Sequence, residues 1–317
     1  MQWCVAWWRV VALLVALLLA GCATQTRSLL QGNAVGLPVH AELTATPFHP
    51  QERFQCGPAA LATVLNVSGV PIVPDALVSQ VYVPAREGSL QPEMLAAARR
   101  NGTVSMTIPP TLNALLTEVA AGHPVVVLQN LSLSWAPLWH YAVVIGYDLP
   151  RGDIILRSGT TERLVMPLST FEHTWSRGNY WGMVALSPGR LAATVEEEQA
   201  VTALVAFERN ATAVQARVAY TGALERWPRN VTLRLGLGNA LYKAGDKRAA
   251  AAVLREATAL FPEHPAAFNN LATVLAELGD LPQARAAAEK AVALGGPWRS
   301  AARETLATIL AAQNRKP

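Results

Sequence analysis

Cysteine is scarce in this chain: Cys4, Cys22 and Cys56 are the three among 317 residues. Their wide spacing excludes a disulfide-stapled scaffold and a zinc site built on neighbouring cysteines. Charge is thin as well. Charged residues make up 15%, the net charge is +4, and no long run of Lys or Arg occurs. That excludes the electrostatic footprint of a nucleic-acid binder. No Gly-x-x-x-x-Gly-Lys-Ser/Thr stretch is present, so there is no phosphate-cradling loop of that type. The pattern implies neither a metal nor an organic cofactor. The apolar run Val10 to Leu19 falls short of the roughly 20 residues a membrane-spanning helix needs. What the chain has is apolar residues, 51% of the total, enough to bury the cores of two domains.

The N-terminus reads as a targeting segment. Arg9 precedes the apolar run, and Leu19-Ala20-Gly21-Cys22 follows it. These four residues resemble the lipobox of bacterial lipoproteins. A plain signal peptide or a short anchor helix is the alternative. The resemblance implies that residues 1–22 are a lipoprotein signal peptide and that the Cys22 thiol takes a diacylglyceryl group. Ala23, in place of Asp, implies sorting to the outer membrane, facing the periplasm. Cys4 would then leave with the signal and Cys22 would carry lipid. Cys56 would remain as the one free thiol in an oxidising compartment, where a lone thiol is a liability unless it is buried or reactive. Residues 23–46 are small and polar without a period, which predicts a tether.

From 47 to 188 the pattern is helices first and strands after. Apolar spacing predicts helices over Ala59–Val67, Asp75–Val81 (with Asp75 as N-cap), Gln91–Arg100 and Leu112–Ala121. β-Branched runs predict strands at Pro124–Leu128, His140–Tyr147, Asp153–Ser158, Arg163–Met166 and Trp181–Leu186, with a helix over Leu168–Trp175. This is an α+β domain with an antiparallel sheet. Residues 189–196 read as a linker. Beyond them Asn230 and His264, Gly245 and Gly279, Ala257 and Ala291, and Pro228 and Pro262 each stand 34 apart. That period, with small residues at helix crossings, resembles tetratricopeptide repeats. The units fall at 197–230, 231–264 and 265–298, with a capping helix over 299–313. An all-α stack of this kind implies a groove for a protein partner.

The chemistry centres on Gln55-Cys56-Gly57-Pro58. Gly57 permits a sharp entry and Pro58 suits a first helical turn. Cys56 therefore stands at a helix N-terminus, where the helix dipole favours a thiolate and lowers its pKa. A nucleophilic cysteine needs a base. His140, opening a strand behind the apolar segment Trp135–Trp139, is the candidate. His40, His49, His123, His173 and His264 sit in tether, turn, helix or repeat contexts.

Gln51…Gln55-Cys56-Gly57-Pro58-Ala59-Ala60-Leu61, Gly88, Gly122-His123-Pro124-Val125-Val126-Val127 and His140-Tyr141-Ala142-Val143-Val144-Ile145-Gly146-Tyr147 together resemble the bacteriocin-processing cysteine peptidases. Those are papain-like domains that cut leader peptides after a double glycine. The resemblance implies Cys56 as nucleophile, His140 as general base and Gln51 as oxyanion donor, with Gln55 as the alternative donor. The family's third residue, an Asp at the end of the following strand, is absent. Ser158 occupies roughly that place, and Asp153 and Asp148 are the nearby carboxylates. The expectation is a membrane-anchored periplasmic papain-like cysteine peptidase acting on a protein or peptide, with a repeat domain that binds protein. The alternatives are a non-catalytic binding or assembly lipoprotein and an amidase or acyltransferase using the same Cys–His pair.

Overall fold

The computed structural model describes residues 23–33, 36–50, 55–86 and 88–314. The signal segment with Cys22, and Gln51, lie outside the described residues. The chain divides into two compact units. The first comprises residues up to Ala98, Ser105–Leu186 and Ala192–Val195; the second comprises Arg99–Val104, Ser187–Leu191 and everything from Glu196.

The first unit opens with a short helix, α1 (Thr24–Ser28), and a strand, β1 (His40–Glu42). Then come α2 (Cys56–Val67), α3 (Asp75–Val81), a ribbon of β2 (Tyr82–Val83) and β3 (Gly88–Ser89), and α4 (Gln91–Arg100). β4 (Val104–Thr107), α5 (Leu112–Ala120), β5 (Val125–Asn130), β6 (Trp139–Asp148), β7 (Asp153–Ser158), β8 (Thr161–Pro167), α6 (Leu168–Ser176) and β9 (Gly182–Leu186) complete it. The sheet order is β4-β9-β5-β6-β7-β8, with β1 on β6. β5, β6, β7 and β8 pair antiparallel in sequence order, as short turns between consecutive strands require.

Helix α2 is apolar nearly all round, the composition of a buried helix. Ala60, Leu61, Val64 and Leu65 pack with Met94 of α4 and with Tyr141, Val143 and Ile145 of the sheet. Leu61 and Leu65 are fully buried, each contributing roughly 1.5–3 kcal/mol. Gly69, at φ +83, supplies the left-handed residue that ends the helix. α3 starts differently from the sequence reading. Pro74 holds the N-cap position without a side-chain capping bond, and Asp75 is the first helical residue.

The stretch 23–46 is not a free tether. Glu172 of α6, fully buried, accepts from the backbone N–H of Gln25 (3.0 Å) and Thr26 (2.7 Å) at the start of α1. Gln25 accepts from Leu112 N–H at 2.7 Å. β1 adds three register pairs, His40–Asp148, Ala41–Tyr147 and Glu42–Gly146. Gly146 permits this approach, since a Cβ there would stand 2.8 Å from the Ala41 carbonyl oxygen. Side chains elsewhere in the fold supply what a polar, aperiodic stretch lacks on its own.

The second unit is helical: α7 (Glu197–Glu208), α8 (Ala213–Arg226), α9 (Val231–Lys243), α10 (Lys247–Leu260), α11 (Pro265–Glu277), α12 (Leu281–Leu294) and α13 (Arg299–Gln313). The 34-residue period places Asp246 and Asp280 as equivalent caps, accepting from Ala249 and Gln283 N–H. Gly245 and Gly279 make the equivalent left-handed turns at φ +87 and +84. The packing alanines Ala250, Ala284, Ala257 and Ala291 are fully buried. Where α8 crosses α9 the pair is Tyr220 against Gly236, where an added Cβ would stand 2.7 Å from the ring's Cε2. Tyr220 donates to Glu208 at 2.7 Å.

Candidate active site

Cys56 is the first residue of α2, with Gln55 at the N-cap position making no side-chain capping bond. Ser89 of β3 crosses directly over the second residue. A Cβ on Gly57 would overlap the Ser89 hydroxyl and stand 2.6 Å from its Cβ. The Ser89 hydroxyl is buried without a hydrogen-bond partner. Gly57 is thus required by a close approach as much as by the turn.

The sulfur meets the sheet at the edge of β6. Leu128 donates its N–H to the Trp181 carbonyl, on the β9 side. Tyr141, opposite Leu128 in the register, therefore turns its own N–H away from β5. The pairing of β6 with β7 ends at Val143–Arg157, so β7 does not take this N–H. The N–H groups of Tyr141, Gly57 and Cys56 itself favour the Cys56 thiolate. Burial works against them and is stronger, so the thiol titrates above the ordinary cysteine range. That reverses the expectation from the helix N-terminus alone, because Cys56 packs against the core and loses more hydration than three amides restore.

His140 immediately precedes Tyr141 and lies on the other face of the strand, shared by Ala142 and Ser158. Its Nε2 stands 2.9 Å from the Ser158 hydroxyl. Among the described residues this is the hydrogen bond the imidazole makes. Burial holds its pKa below the ordinary histidine value, so the ring is neutral near pH 7. At rest the thiol and the imidazole are each neutral.

Asp148 and Asp153 do not orient this ring. They pair with each other at the far end of β6, eight residues from His140, which is roughly 26 Å along a strand. Asp148 instead accepts from Arg151 N–H at 3.1 Å. As a turn between β6 and β7, the pair follows the chemistry of turn residues.

The other histidines have their own partners or positions. His49 bonds Asn66 at 2.9 Å, His40 is in β1, His173 in α6, and His264 is the N-cap of α11. His123, expected to mark only a bend, is buried and bonded through Nδ1 to buried Glu118 at 2.8 Å. Glu118 also accepts from Ala193 N–H (3.0 Å), Thr194 N–H (2.7 Å) and the Thr194 hydroxyl (2.6 Å). Burial pushes this carboxyl up, but the bonds from His123, Thr194 and Ala193 together outweigh it and hold it low.

Sequence reasoning missed the Tyr141 N–H, which has no residue-type signal, and Ser89, for which the obligate Gly57 is the trace. It also missed buried Arg157, next to Ser158. The guanidinium donates to the carbonyls of Thr46 (2.7 Å), Thr44 (3.2 Å) and Glu162 (2.6 Å), tying the chain ahead of Cys56 to β7. Among the described residues no group of three or more His, Cys, Asp or Glu is placed to hold a metal ion.

Residues 43–182 match the model of the Peptidase_C39 like family, and residues 200–247 and 235–297 match that of the tetratricopeptide repeat. A C39-like peptidase from Bacillus anthracis superposes with a TM-score of 0.41 and 17% identity, covering 47% of this chain and 98% of that one. A double-glycine-motif protease from an AMS/PCAT transporter, solved with the leader peptide, gives 0.34 and 18%, covering 44% and 91%. The Sgt2 repeat domain from Aspergillus fumigatus gives 0.35 and 22%, covering 38% and 81%. No curated protein matches the chain.

Proposed function

We propose that this chain, a C39-like peptidase domain followed by tetratricopeptide repeats, is a cysteine peptidase held to the periplasmic side of a bacterial membrane by lipid on Cys22. The observation that carries the reading is the edge of β6. The Tyr141 N–H favours the Cys56 thiolate, and the adjacent residue in the strand is His140, whose Nε2 is held by Ser158.

With Nε2–H donating to Ser158, Nδ1 carries the lone pair. It takes the thiol proton as the sulfur attacks the peptide carbonyl. The N–H groups at the start of α2 stabilise the developing oxyanion, and Gln51 or Gln55 is the side-chain donor that the family resemblance implies. The imidazolium returns its proton to the leaving amine, and water, deprotonated by the same nitrogen, hydrolyses the thioester. The neutral resting pair makes proton transfer part of the attack, and general-base assistance of this kind is worth about 10²–10⁴ in rate. The repeats bind the protein substrate.

The test pairs hydrolysis with thiol reactivity. A peptide library incubated with the acylated chain yields new termini, and Cys56→Ala yields none. Alkylation of Cys56 by iodoacetamide at pH 7 slows on His140→Ala. Absence of products together with a Cys56 indifferent to His140 would leave a binding lipoprotein on a peptidase fold. The neutral thiol and imidazole, and the lack of an orienting carboxylate on His140 among the described residues, are what that second reading has in its favour. New acyl-transfer products in place of new termini would assign the amidase or acyltransferase reading. A mass lacking the diacylglyceryl group would remove the anchor.

A further inference from the structure

The connection from β5 to β6 is an apolar protrusion. Leu131, Leu133, Trp135, Leu138 and Trp139 are exposed at 45, 52, 82, 59 and 52%, and no charged residue lies between Asn130 and His140. Isolated exposed apolar residues are ordinary, but a cluster of this size marks a contact surface.

Hydrogen bonds tie the protrusion together at its base. Leu131 N–H donates to the Leu138 carbonyl, and Leu133 bridges Ala136 across the tip. Buried Asn130 accepts from the N–H of Ser132 (3.0 Å) and Leu138 (2.9 Å). Arg177 donates to the carbonyls of Ser132 (2.8 Å) and Asn130 (3.3 Å). These bonds join the two limbs of the connection below its tip.

Its position follows from α6. Arg177, just past the end of α6, clamps the protrusion, and Gln129 at its base donates to Thr174 of the same helix at 2.7 Å. Glu172, five residues before Arg177, holds the start of α1. That interval is roughly 7.5 Å of helix. Ala23, directly after Cys22 in the chain, is the N-cap of α1. The start of α1, which follows the proposed lipid site in the chain, and the apolar protrusion are therefore both tied to α6. Arg27 and Arg177 are exposed beside them.

We propose that the 131–139 protrusion inserts into the lipid bilayer, with Trp135 at its tip, so that lipid and protrusion together hold the first unit against the membrane surface. An exposed tip of Leu and Trp suits the interfacial region, where Trp places its apolar body in lipid and its N–H in the headgroups. The two exposed arginines suit anionic headgroups. His140 directly follows the protrusion, so the candidate site faces substrates at the membrane. The inference rests on the Cys22 anchor of the proposed function.

The experiment uses the acylated full chain in vesicles of phosphatidylethanolamine and phosphatidylglycerol with brominated acyl chains. Tryptophan emission is quenched relative to unbrominated vesicles, and Trp135→Phe loses most of that quenching. Trp135 is exposed enough for this variant to fold, and unchanged Cys56 alkylation verifies it. A vesicle-bound, acylated chain whose quenching is the same in Trp135→Phe overturns the proposal. So does a tenfold rise in KM for a soluble peptide on Trp135→Phe without any lipid quenching, which would give the protrusion to the substrate. Failure of the anchor reading shows separately, as the missing diacylglyceryl mass. Trp135-dependent quenching on added vesicles would then still support insertion, and its absence would overturn it.

Discussion

At the scale of single residues, opposing effects on the same atom decide the chemistry. Three N–H groups favour the Cys56 thiolate and burial opposes it, with burial stronger. The alkylation rate of Cys56 against pH should therefore have its upper half-point above the free-cysteine value of about 8.5. His140 is shifted the other way by burial. A base must be unprotonated to act, so kcat/KM rises with pH through a limb below the ordinary histidine value of about 6.5. Ser158→Ala removes the hydroxyl 2.9 Å from Nε2 and should lower kcat about tenfold. That is far less than the roughly 10⁴-fold cost of neutralising a charged orienter, because a serine holds a tautomer without stabilising an imidazolium. Ser158→Asp supplies that charge, raises the His140 pKa, and moves the acid limb to higher pH. A pH series on the two variants measures both effects.

At the scale of elements, close approaches govern. The N-terminus of α2 reaches β3 only because position 57 lacks a Cβ. Gly57→Ala should cost about 1–3 kcal/mol, the range for overpacking, and should slow Cys56 alkylation. Adding Ser89→Gly should recover most of both, as urea unfolding and alkylation rates will show. The Glu118 carboxylate ties α5 to His123 and to the 193–194 segment. Its pKa is lowered in the folded chain. Its contribution is therefore present above the unfolded carboxyl pKa and is lost as pH falls through the folded value. Glu118→Ala should cost about 3 kcal/mol at neutral pH, as for breaking a buried pair, and should flatten the acid limb of stability against pH. Denaturant midpoints at pH 7 and pH 4 test this. Strand existence was legible from β-branched runs at β5, β6 and β7. β1 and β4 were not, because three or four residues carry too little period to separate a strand from a loop.

At the scale of the whole molecule, each unit has its own buried core. Calorimetry should resolve two transitions. Gly236→Ala, which drives a methyl into the Tyr220 ring, should lower the one belonging to the repeats. Cys56→Ala should leave both in place to within about 1 kcal/mol, as expected for a small truncation at a half-buried position. The repeat register was readable because one unit repeats the same capping and packing residues at a fixed interval, which is a one-dimensional signal.

The sequence by itself determined where most helices and strands run, the 34-residue period, and the residue types at Cys56 and His140. These are set by local turn chemistry and by periodicity along the chain. Only the tertiary structure decided what lies sideways to it. It put Ser158 on the imidazole and Asp148 and Asp153 at the wrong end of the strand. It gave the sulfur the N–H of Tyr141 and drove the thiol pKa up. It also turned a polar, aperiodic stretch into a docked segment. Burial and lateral pairing depend on neighbours more than a hundred residues away, as Glu172 is from Gln25 and Arg157 from Thr46. No local pattern carries that information.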